Sequence, residues 1–318
     1  TQLQSSAASD VYKRQASGRN HHPPAIGWRG VVNWLLALPA LLLIALVFGW
    51  PMLRYGWLSL HASSVLTGLE PIPNQGANWA RLLEDPRFWQ DALQTLRFGV
   101  VSVGLEMVLA FAIALLLDQR WRGRGVVRAL TLLPWALPTT MMALGWRWIF
   151  NTPYGPLEQV AQSAGLSPLN LLSNPDWTWL AAVMADVWKT TPFVTLLLLA
   201  GLQTIPDDLY SAFRLEGGKT RQAITAITLP LLTPYILISL LFRTAQAAGV
   251  FDLIQVLTGG GPAGSTESIA QYAYLNAMRF LDFGYSSTVM LAGFLLLSLV
   301  IVTAALLLQM SRLLRPLK

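Results

Sequence analysis

Long apolar segments alternate with shorter polar ones along most of the chain. Each apolar segment has close to the ~20 residues that a helix needs to cross a bilayer. The pattern predicts six membrane-spanning helices, at about Val32 to Leu53, Ala92 to Leu117, Val127 to Phe150, Trp177 to Leu202, Leu231 to Leu257 and Ser286 to Gln309. Pro134 and Pro138 are expected to break the third. The predicted fold class is an all-α polytopic membrane protein.

Composition supports this interpretation and excludes several kinds of chemistry. The 318 residues are 54% hydrophobic and 12% charged, about half the roughly 25% charged residues of a soluble domain. There is no cysteine, and the three histidines (His21, His22 and His61) lie outside the apolar segments. Disulfides, thiol chemistry and a histidine-based metal site within the membrane are therefore excluded, and we expect no metal. The pI of about 9.8 reflects basic residues in short loops, so we expect no nucleic-acid partner.

The first 29 residues are polar and rich in Ser, Asn and Pro. They predict a disordered cytoplasmic tail at 1–29, and we expect its first fifteen or so residues to include sequence that is not native. The first apolar run is long enough to span a membrane and lacks a small-residue cleavage site, so no cleavable signal is expected. The transmembrane domain is predicted at 30–318.

Lysine and arginine residues gather in alternate loops. They occur in the tail, in the loop around 118–128, in the stretch 203–230 and at the chain end, whereas the loop 151–176 has none. Because basic loops stay on the cytoplasmic side, this bias predicts that both termini and residues 203–230 are cytoplasmic.

The polar stretch 203–230, QTIPDDLYSAFRLEGGKTRQAITAITLP, separates the fourth and fifth spans. Pro206-Asp207-Asp208 is typical of a helix start, and Gly217-Gly218 of a break. We expect one or two short helices that contact another protein. The stretch resembles the coupling loop of importer-type ABC permeases, whose pattern is roughly E-A-A, three residues, then G and a downstream I-x-L-P. The positions assigned to this loop are Tyr210, Ser211, Ala212, Phe213, Glu216, Gly217, Ile227, Leu229 and Pro230.

This chain departs from the family pattern at three of those positions. Ser211 replaces the leading Glu, Phe213 the second Ala, and Glu216 the usual Asp. The loss of the Glu puts one ionic contact with the ATPase partner in doubt. Gly217-Gly218-Lys219-Thr220 is no phosphate-binding loop, because Phe213 stands where such a loop needs Gly and the context is helical.

Three further stretches carry the same resemblance. They are Trp146 to Gly155, Val187 to Leu202 and Phe251 to Tyr285, with the runs WRWIFN, VWKTTPF and VLTGGGP. The family comprises sugar and glycerol-phosphate permeases of bacterial binding-protein-dependent importers, and VWKTTPF is most similar to trehalose/maltose systems. The resemblance implies a type I importer fold in the bacterial inner membrane. It also implies a second homologous permease, two ATP-binding subunits that hold ATP and Mg, and an extracytoplasmic sugar-binding protein. The chain itself is expected to bind no cofactor and to be no enzyme.

Four charged residues fall inside predicted spans, namely Glu106, Asp186, Lys189 and Arg243. At ~1.5 Å per residue, Asp186 and Arg243 lie roughly 12–13 Å from the outer end, and Glu106 and Lys189 roughly 18–21 Å from it. Because a charge in the membrane needs a partner, we predict the pairs Asp186–Arg243 and Glu106–Lys189. Packing of helices is the favoured role, with substrate contact second and a proton relay third.

Candidates for sugar contact lie on the fourth to sixth spans. Trp188 offers a ring for stacking, and hydrogen-bonding groups are offered by Thr190, Thr191, Gln246, Asp252 and Gln255. Each of these polar side chains could instead bond a neighbouring helix.

The predicted function is ATP-driven import of a sugar, such as a disaccharide or oligosaccharide. The alternative is an ion-coupled secondary transporter of a small polar solute, but no inverted repeat is evident and the stretch 203–230 would be unexplained. A membrane enzyme is a third class, for which the chain offers no Cys, no intramembrane His and no Ser/His arrangement.

Overall fold

The computed structural model describes residues 28–166 and 168–313, which are mostly helical. In chain order the α-helices are α1 (Trp28–Ile44), α2 (Trp50–Ser59), α3 (Ala77–Glu84), α4 (Pro86–Asp118), α5 (Arg124–Ala136), α6 (Thr139–Ile149), α7 (Pro156–Ser163), α8 (Pro175–Leu202), α9 (Asp207–Leu215), α10 (Thr220–Ala223), α11 (Leu229–Ala248), α12 (Asp252–Leu257), α13 (Ile269–Met278) and α14 (Phe283–Leu313). The tail predicted at 1–29 lies outside the described residues as far as residue 27, and α1 already begins at Trp28.

Smaller elements join these helices. Two π-helical turns, Ala45–Gly49 and Ile224–Thr228, precede α2 and α11. Between α2 and α3 lie a 3₁₀ turn, Val65–Thr67, and an antiparallel hairpin of β1 (His61–Ala62) and β2 (Ile72–Pro73). The hairpin pairs His61 with Pro73 and Ala62 with Ile72.

Five helices in the described part of the chain are long and apolar enough to cross a membrane. They are Asn33–Ser59, Pro86–Asp118, Pro175–Leu202, Thr220–Ala248 and Phe283–Thr303. The pair α5 and α6 passes the same test as one span bent by 91°, which makes six. The bend falls at Leu137, which is extended because the following Pro138 disfavours the helical conformation there. The prediction of an all-α protein with six spans, the third broken, is confirmed.

The fifth span differs from its prediction. It was expected to continue to Leu257, but α11 ends at Ala248, and α12 is a separate helix after a turn at Gly249 and Val250. Gly249 is the signal that could have placed this end, because glycine is a common helix terminator. The helix α13 and the hairpin were not predicted, since neither has a long apolar period.

The chain divides into two compact units at Arg54 and Tyr55. In the first unit, α1 and the turn after it carry apolar side chains that are mostly exposed, including Leu36 at 76% and Leu46 at 70%. An apolar helical surface of this extent is typical of a helix that faces lipid or another membrane helix.

The second unit is built around α4 and α8, and α8 is the most buried of the spans. Ala110 and Ala114 of α4 are fully buried and pack with Val194 and Leu198 of α8. Small side chains one turn apart let two membrane helices approach closely, which provides van der Waals contact where no hydrophobic force acts between them. A second apolar cluster joins the earlier halves of the same helices, through Phe98 and Val183.

Candidate transport pathway and coupling surface

The predicted coupling loop folds as a short helix, a tight turn and a second helical segment. The first helix, α9, begins at Asp207 after Pro206 and ends at Leu215. Its end is a Schellman turn, in which the N–H of Gly217 donates to Arg214 O (3.1 Å) and that of Gly218 to Phe213 O (2.9 Å). Gly217 has φ +85°, a left-handed conformation that costs other residues about 1–2 kcal/mol. The predicted break at Gly217-Gly218 thus has a conformational cause.

Phe213, which replaces an alanine of the family pattern, covers the second glycine of this turn. A Cβ added to Gly218 would lie 2.1 Å from the Phe213 ring. With the Phe213 ring in this position, a side chain at position 218 would force the ring to move. The two positions form one packing unit.

Contacts of Tyr210 and Ile227 help to hold the loop on the transmembrane helices. The Tyr210 hydroxyl lies 3.0 Å from Thr228 Oγ1, which joins α9 to the π-helical turn. Tyr210 and Ile227 also pack against the apolar cluster between α4 and α8. These contacts connect α9 to the start of α11, where Leu229 is half-buried and Pro230 is exposed.

The opposite side of α9 is exposed. Ser211, Ala212 and Glu216 all face outward. Leu215, next to them, is 90% exposed, although its side chain is wholly apolar. These residues form the exposed side of the segment that the coupling-loop resemblance marks. We call the residues Ser211, Ala212, Leu215 and Glu216 the coupling surface.

Three spans are joined by a buried ionic cluster. Arg243 of α11 donates from Nε to Glu106 Oε2 of α4 (2.5 Å) and from Nη2 to Glu106 Oε1 (2.8 Å). The same Nη2 donates to Asp186 Oδ2 of α8 at 3.0 Å. The Thr190 hydroxyl adds a bond to Glu106 Oε1 at 2.7 Å. Arg243, Glu106 and Asp186 are at most 8% exposed, so this buried cluster satisfies the requirement that charges in a membrane be paired.

Of the two predicted ion pairs, the structure contains one. Asp186 lies against Arg243 as predicted, but Glu106 also binds Arg243, and the predicted Glu106–Lys189 pair is wrong. Lys189 donates instead to the carbonyl of Leu137 at 2.6 Å, at the bend between α5 and α6. Depth counting placed Glu106 and Lys189 at one level, but it could not place their side chains on facing sides of two helices. The guanidinium reaches two carboxylates because it is a long, flat group with five donors.

The predicted sugar-contact residues fall into two groups. Thr190 and Thr191 are buried, so neither lies on the exposed face of the subunit. The Thr191 hydroxyl donates to Val187 O within α8, and the one hydrogen of the Thr190 hydroxyl is shared between Glu106 Oε1 and Asp186 O, each 2.7 Å away. Trp188, Gln246 and Asp252 are exposed.

Gln255, the sixth candidate, is half-buried, and its side-chain oxygen accepts from Gln271 Nε2 at 2.6 Å. Its side chain thus ties α12 to α13. The polar groups that remain accessible are those of Gln246 and Asp252.

Trp188 belongs to a row of aromatic side chains along one face of the unit. Its ring meets that of Trp146 edge to face, with centroids 5.6 Å apart, and Trp146 stacks on Phe150 at 5.0 Å. Trp188 is 42% exposed, so part of its indole is accessible beside Trp146. An indole held by a neighbouring ring and partly accessible is suited to stack on a sugar ring.

Comparison with known proteins decides the family. The family model described as "Binding-protein-dependent transport system inner membrane component" matches residues 106–315, which include α4 from Glu106 onward, the loop 203–230 and α11. The chain belongs to this family. The binding-protein-dependent permease family that the coupling-loop resemblance predicted is thereby confirmed, and the protein is a multi-pass component of the inner membrane.

Relatives of this permease agree with that assignment. The trehalose/maltose transport system permease protein MalF of Thermococcus litoralis is 42% identical over 265 residues, which are 83% of this chain and 89% of the relative. The sulfoquinovosyl glycerol transport system permease protein SmoG of Agrobacterium fabrum is 34% identical over 82% and 85% of the two chains. The trehalose transport system permease protein SugA of Mycobacterium tuberculosis is 34% identical over 80% and 81%.

The fold of the permease also matches a solved structure. A chain of a bacterial ABC transporter involved in the import of the acidic polysaccharide alginate superposes with a TM-score of 0.76 at 19% identity. The match covers 90% of this permease and 97% of that chain. At this identity it is evidence for the fold alone, and it confirms the importer-type arrangement of helices.

A hydrogen-bonded network lies where α4 begins, at the opposite end of this helix from the loop 203–230. The sequence did not reveal it. Asp85 accepts at Oδ2 from the hydroxyls of Tyr272 and Tyr285, the former at 2.5 Å. Two arginines sit over the two rings, Arg81 over Tyr285 at 3.7 Å and Arg87 over Tyr272 at 5.0 Å. The arginines bind Asp282 (2.8 Å) and Glu267 (2.9 Å) in turn.

This network ties α3 and α4 to α13 and α14. Burial by itself raises the pKa of Asp85, but hydrogen bonds from Tyr272, Tyr285 and the backbone of Arg87 outweigh it, so the pKa stays below its ordinary value. Burial and the Asp85 contact raise the pKa of Tyr272 to about 12. Motifs did not indicate the network, because bonded members of it are separated by as many as 201 positions in the chain.

Proposed function

We propose that this permease moves a disaccharide or short oligosaccharide, of the trehalose or maltose class, into the bacterial cytoplasm at the expense of ATP. The observation that carries the proposal is the 42% identity with a trehalose/maltose permease over 89% of that relative's length. A second relative, 34% identical, is also named for trehalose transport. The exposed Trp188 ring and the Gln246 amide fit a sugar, which presents both a flat apolar face and hydroxyl groups.

The proposed energy source is a pair of separate ATP-binding subunits that dock on the loop 203–230 and hold the ATP and Mg. Leu215, which is 90% exposed beside Ala212, would be covered by the partner, and burial of a leucine side chain contributes about 1.5–3 kcal/mol. Closure of the ATPases would push α9, and the Tyr210–Thr228 contact would pass the movement to α11. Both termini would then be cytoplasmic, as the placement of basic residues predicts.

The full assembly that we propose contains a second, homologous permease subunit and an extracytoplasmic sugar-binding protein. The family description itself names a binding protein as a requirement. Large exposed apolar faces, such as that of α8 with Leu180, Met184 and Trp188 on it, are available for the second permease and for the pathway between the two subunits.

Reconstitution would test the proposal. The permease, purified with the subunits that accompany it in its native membrane, is placed in proteoliposomes, and uptake of labelled trehalose and maltose is followed. We expect uptake that requires both internal ATP and the binding protein. Uptake driven by a proton or sodium gradient without ATP would overturn the proposal in favour of an ion-coupled carrier.

A pull-down tests the docking surface separately. The permease is captured from native membranes in mild detergent, and the proteins that accompany it are identified. We expect an ATP-binding subunit to accompany the wild-type chain and to be lost when Ala212 is replaced by Glu. Equal recovery of the ATPase with both chains would contradict the assignment of this surface.

A further inference from the structure

The hydrogen atoms of Arg243 are almost fully assigned by the geometry around it. Nε–H and one Nη2–H bind Glu106, the other Nη2–H binds Asp186, and Nη1 donates to Gln246 Oε1 at 2.7 Å. A guanidinium has five donors and no acceptor. Because two nitrogens are held by carboxylates on two different helices, the plane of the guanidinium has one orientation, and Nη1 points toward Gln246.

This contact also determines which way the Gln246 amide faces. Since Arg243 can only donate, the amide must turn its oxygen to the guanidinium, and its NH₂ group then points away from Arg243. Among the described residues, no acceptor is found for that NH₂ group. Gln246 is exposed, whereas Arg243 is 2% and Glu106 0% exposed. Gln246 is therefore the point at which the buried cluster reaches the accessible face of α11.

We propose that Glu106 and Asp186 are positioning residues, which lock Arg243 so that the Gln246 amide becomes a fixed hydrogen-bond donor to a hydroxyl oxygen of the transported sugar. The inference rests on the proposed function and adds to it one specificity-determining group, Gln246. Its physical basis is preorganisation, because a donor held in place by two bonded neighbours loses little rotational freedom when solute binds.

The two carboxylates have separate tasks in this arrangement. Glu106 holds one edge of the guanidinium through two bonds, and Asp186 takes the remaining hydrogen of Nη2. Without Asp186, the second N–H of Arg243 Nη2 would be unbonded and could donate to the Gln246 oxygen or to the solute. If the cluster only packed helices together, it would need neither the exposed Gln246 nor a fixed orientation of its amide. Substitutions in the cluster would then lower stability without changing the relative uptake of different sugars.

The test compares sugars that lack single hydroxyl groups. Uptake of trehalose, maltose and their monodeoxy analogues is measured in proteoliposomes that contain the complete transporter, with one and the same binding protein throughout. Because the binding protein is unchanged, its own preference cancels when variants are compared with wild type. We expect one deoxy analogue to be taken up about tenfold less efficiently by wild type, the effect of one lost hydrogen bond.

The informative substitution is Gln246→Glu. It keeps the length of the side chain and an oxygen for Arg243 but replaces the donor NH₂ group with an acceptor. We expect this variant to take up the parent sugar about tenfold less efficiently than wild type. We call the ratio of uptake efficiency between the parent sugar and its deoxy analogue the penalty, and we expect this penalty to fall from about ten to about one. Glu106→Gln should reduce the same penalty part of the way, because the guanidinium is then held less firmly. The matched control is Gln159→Glu on α7, an exposed glutamine whose amide binds Tyr154 O.

Each outcome decides between the alternatives. If Gln246→Glu and Glu106→Gln keep the wild-type penalties for every analogue, the inference is wrong and the proposed function stands. If Glu106→Gln does not assemble, Asp186→Asn takes its place, and an unchanged pattern in the exposed Gln246→Glu variant remains sufficient to overturn the inference. Wild-type vesicles that take up none of the sugars would overturn the proposed function, and this inference with it.

Discussion

Arg243 and Glu106 lie 137 positions apart in the chain, yet Arg243 Nε and Glu106 Oε2 are 2.5 Å from each other inside the membrane domain. The contact joins α4 to α11, and Asp186 adds α8 to the same cluster. Buried charges of this kind are costly to place in a membrane and costly to leave unpaired. Helix order, register and rotation in the centre of the permease are therefore tied to this one guanidinium.

Removal of the cation should destabilise the permease most. Arg243→Leu leaves the carboxylates of Glu106 and Asp186 buried without a counter-charge, and we expect a loss of about 3–5 kcal/mol. The check is thermal unfolding of the detergent-purified protein. The control is Arg120→Leu, because the Arg120–Asp207 pair is 84% and 82% exposed and such pairs contribute at most about 1 kcal/mol. Equal stability of the two variants would contradict the assignment.

Lys189 should act as a hydrogen-bond donor at the break between α5 and α6, and not as an ionic partner of Glu106. Its Nζ donates to Leu137 O at 2.6 Å, a carbonyl at the bend between α5 and α6. We expect Lys189→Met to lower the free energy of unfolding by about 1–3 kcal/mol, because a donor is removed from this carbonyl. The double variant with Glu106→Lys and Lys189→Glu should transport no better than either single variant. Recovery of transport by that double variant would show that the two residues do pair.

Gly217 should be essential for coupling because of its backbone conformation. Gly217→Val forces a branched side chain into a left-handed position (φ +85°), and we expect the Schellman turn to open and the captured ATP-binding subunit to fall several-fold. Gly165→Val is the matched control, since Gly165 also has positive φ (+74°) with open space around it but lies outside the loop 203–230. A similar fall in both variants would point to general instability.

Trp188 should contribute to transport through its exposed ring. We expect Trp188→Ala to reduce uptake of trehalose or maltose by about tenfold, which corresponds to ~1.4 kcal/mol of lost contact. Trp177→Ala provides the comparison, because Trp177 is 51% exposed, roughly three turns earlier on the same face of α8, and has no neighbouring ring among the described residues. If the two substitutions reduce uptake equally, Trp188 has no special role in the pathway.

The Asp85–Tyr272 contact predicts a pH dependence of stability. The folded-state pKa of Asp85 is depressed below 3.8, so its contribution is present above that pH and is lost as the pH falls through the folded-state pKa. The pKa of Tyr272 is raised from 10.0 to about 12, so its contribution is complete below pH 10 and is lost as the pH rises through 12. We expect Tyr272→Phe to lower the melting temperature at neutral pH, by an amount that shrinks at both extremes.

The control for the pH experiment is Tyr274→Phe on the same helix, where the ring packs on Phe251 with centroids 4.9 Å apart. Its effect should not vary with pH in the same way. A difference between wild type and Tyr272→Phe that stays constant from acid to alkaline pH would show that the hydroxyl does not bind the Asp85 carboxylate.

Elements with a strong local signal could be predicted well from the sequence. The six spans follow from runs of apolar residues near the bilayer length, and the end of α9 at Gly217-Gly218 follows from the need for a residue that accepts positive φ. The family could be recognised for a related reason, because its motif lies in one continuous stretch of chain. The end of the fifth span at Gly249 also had a local signal, which the long apolar run obscured.

Partners that come from distant segments were decided only by the tertiary structure. Depth along a helix is a property of residue number, so the levels of Glu106, Asp186 and Arg243 could be counted, and one of two pairs was predicted correctly. The direction of a side chain around the helix axis depends on how the helices are rotated against each other, and packing sets that rotation. Arg243 could therefore take both carboxylates and orient Gln246, while Lys189 turned to the carbonyl of Leu137.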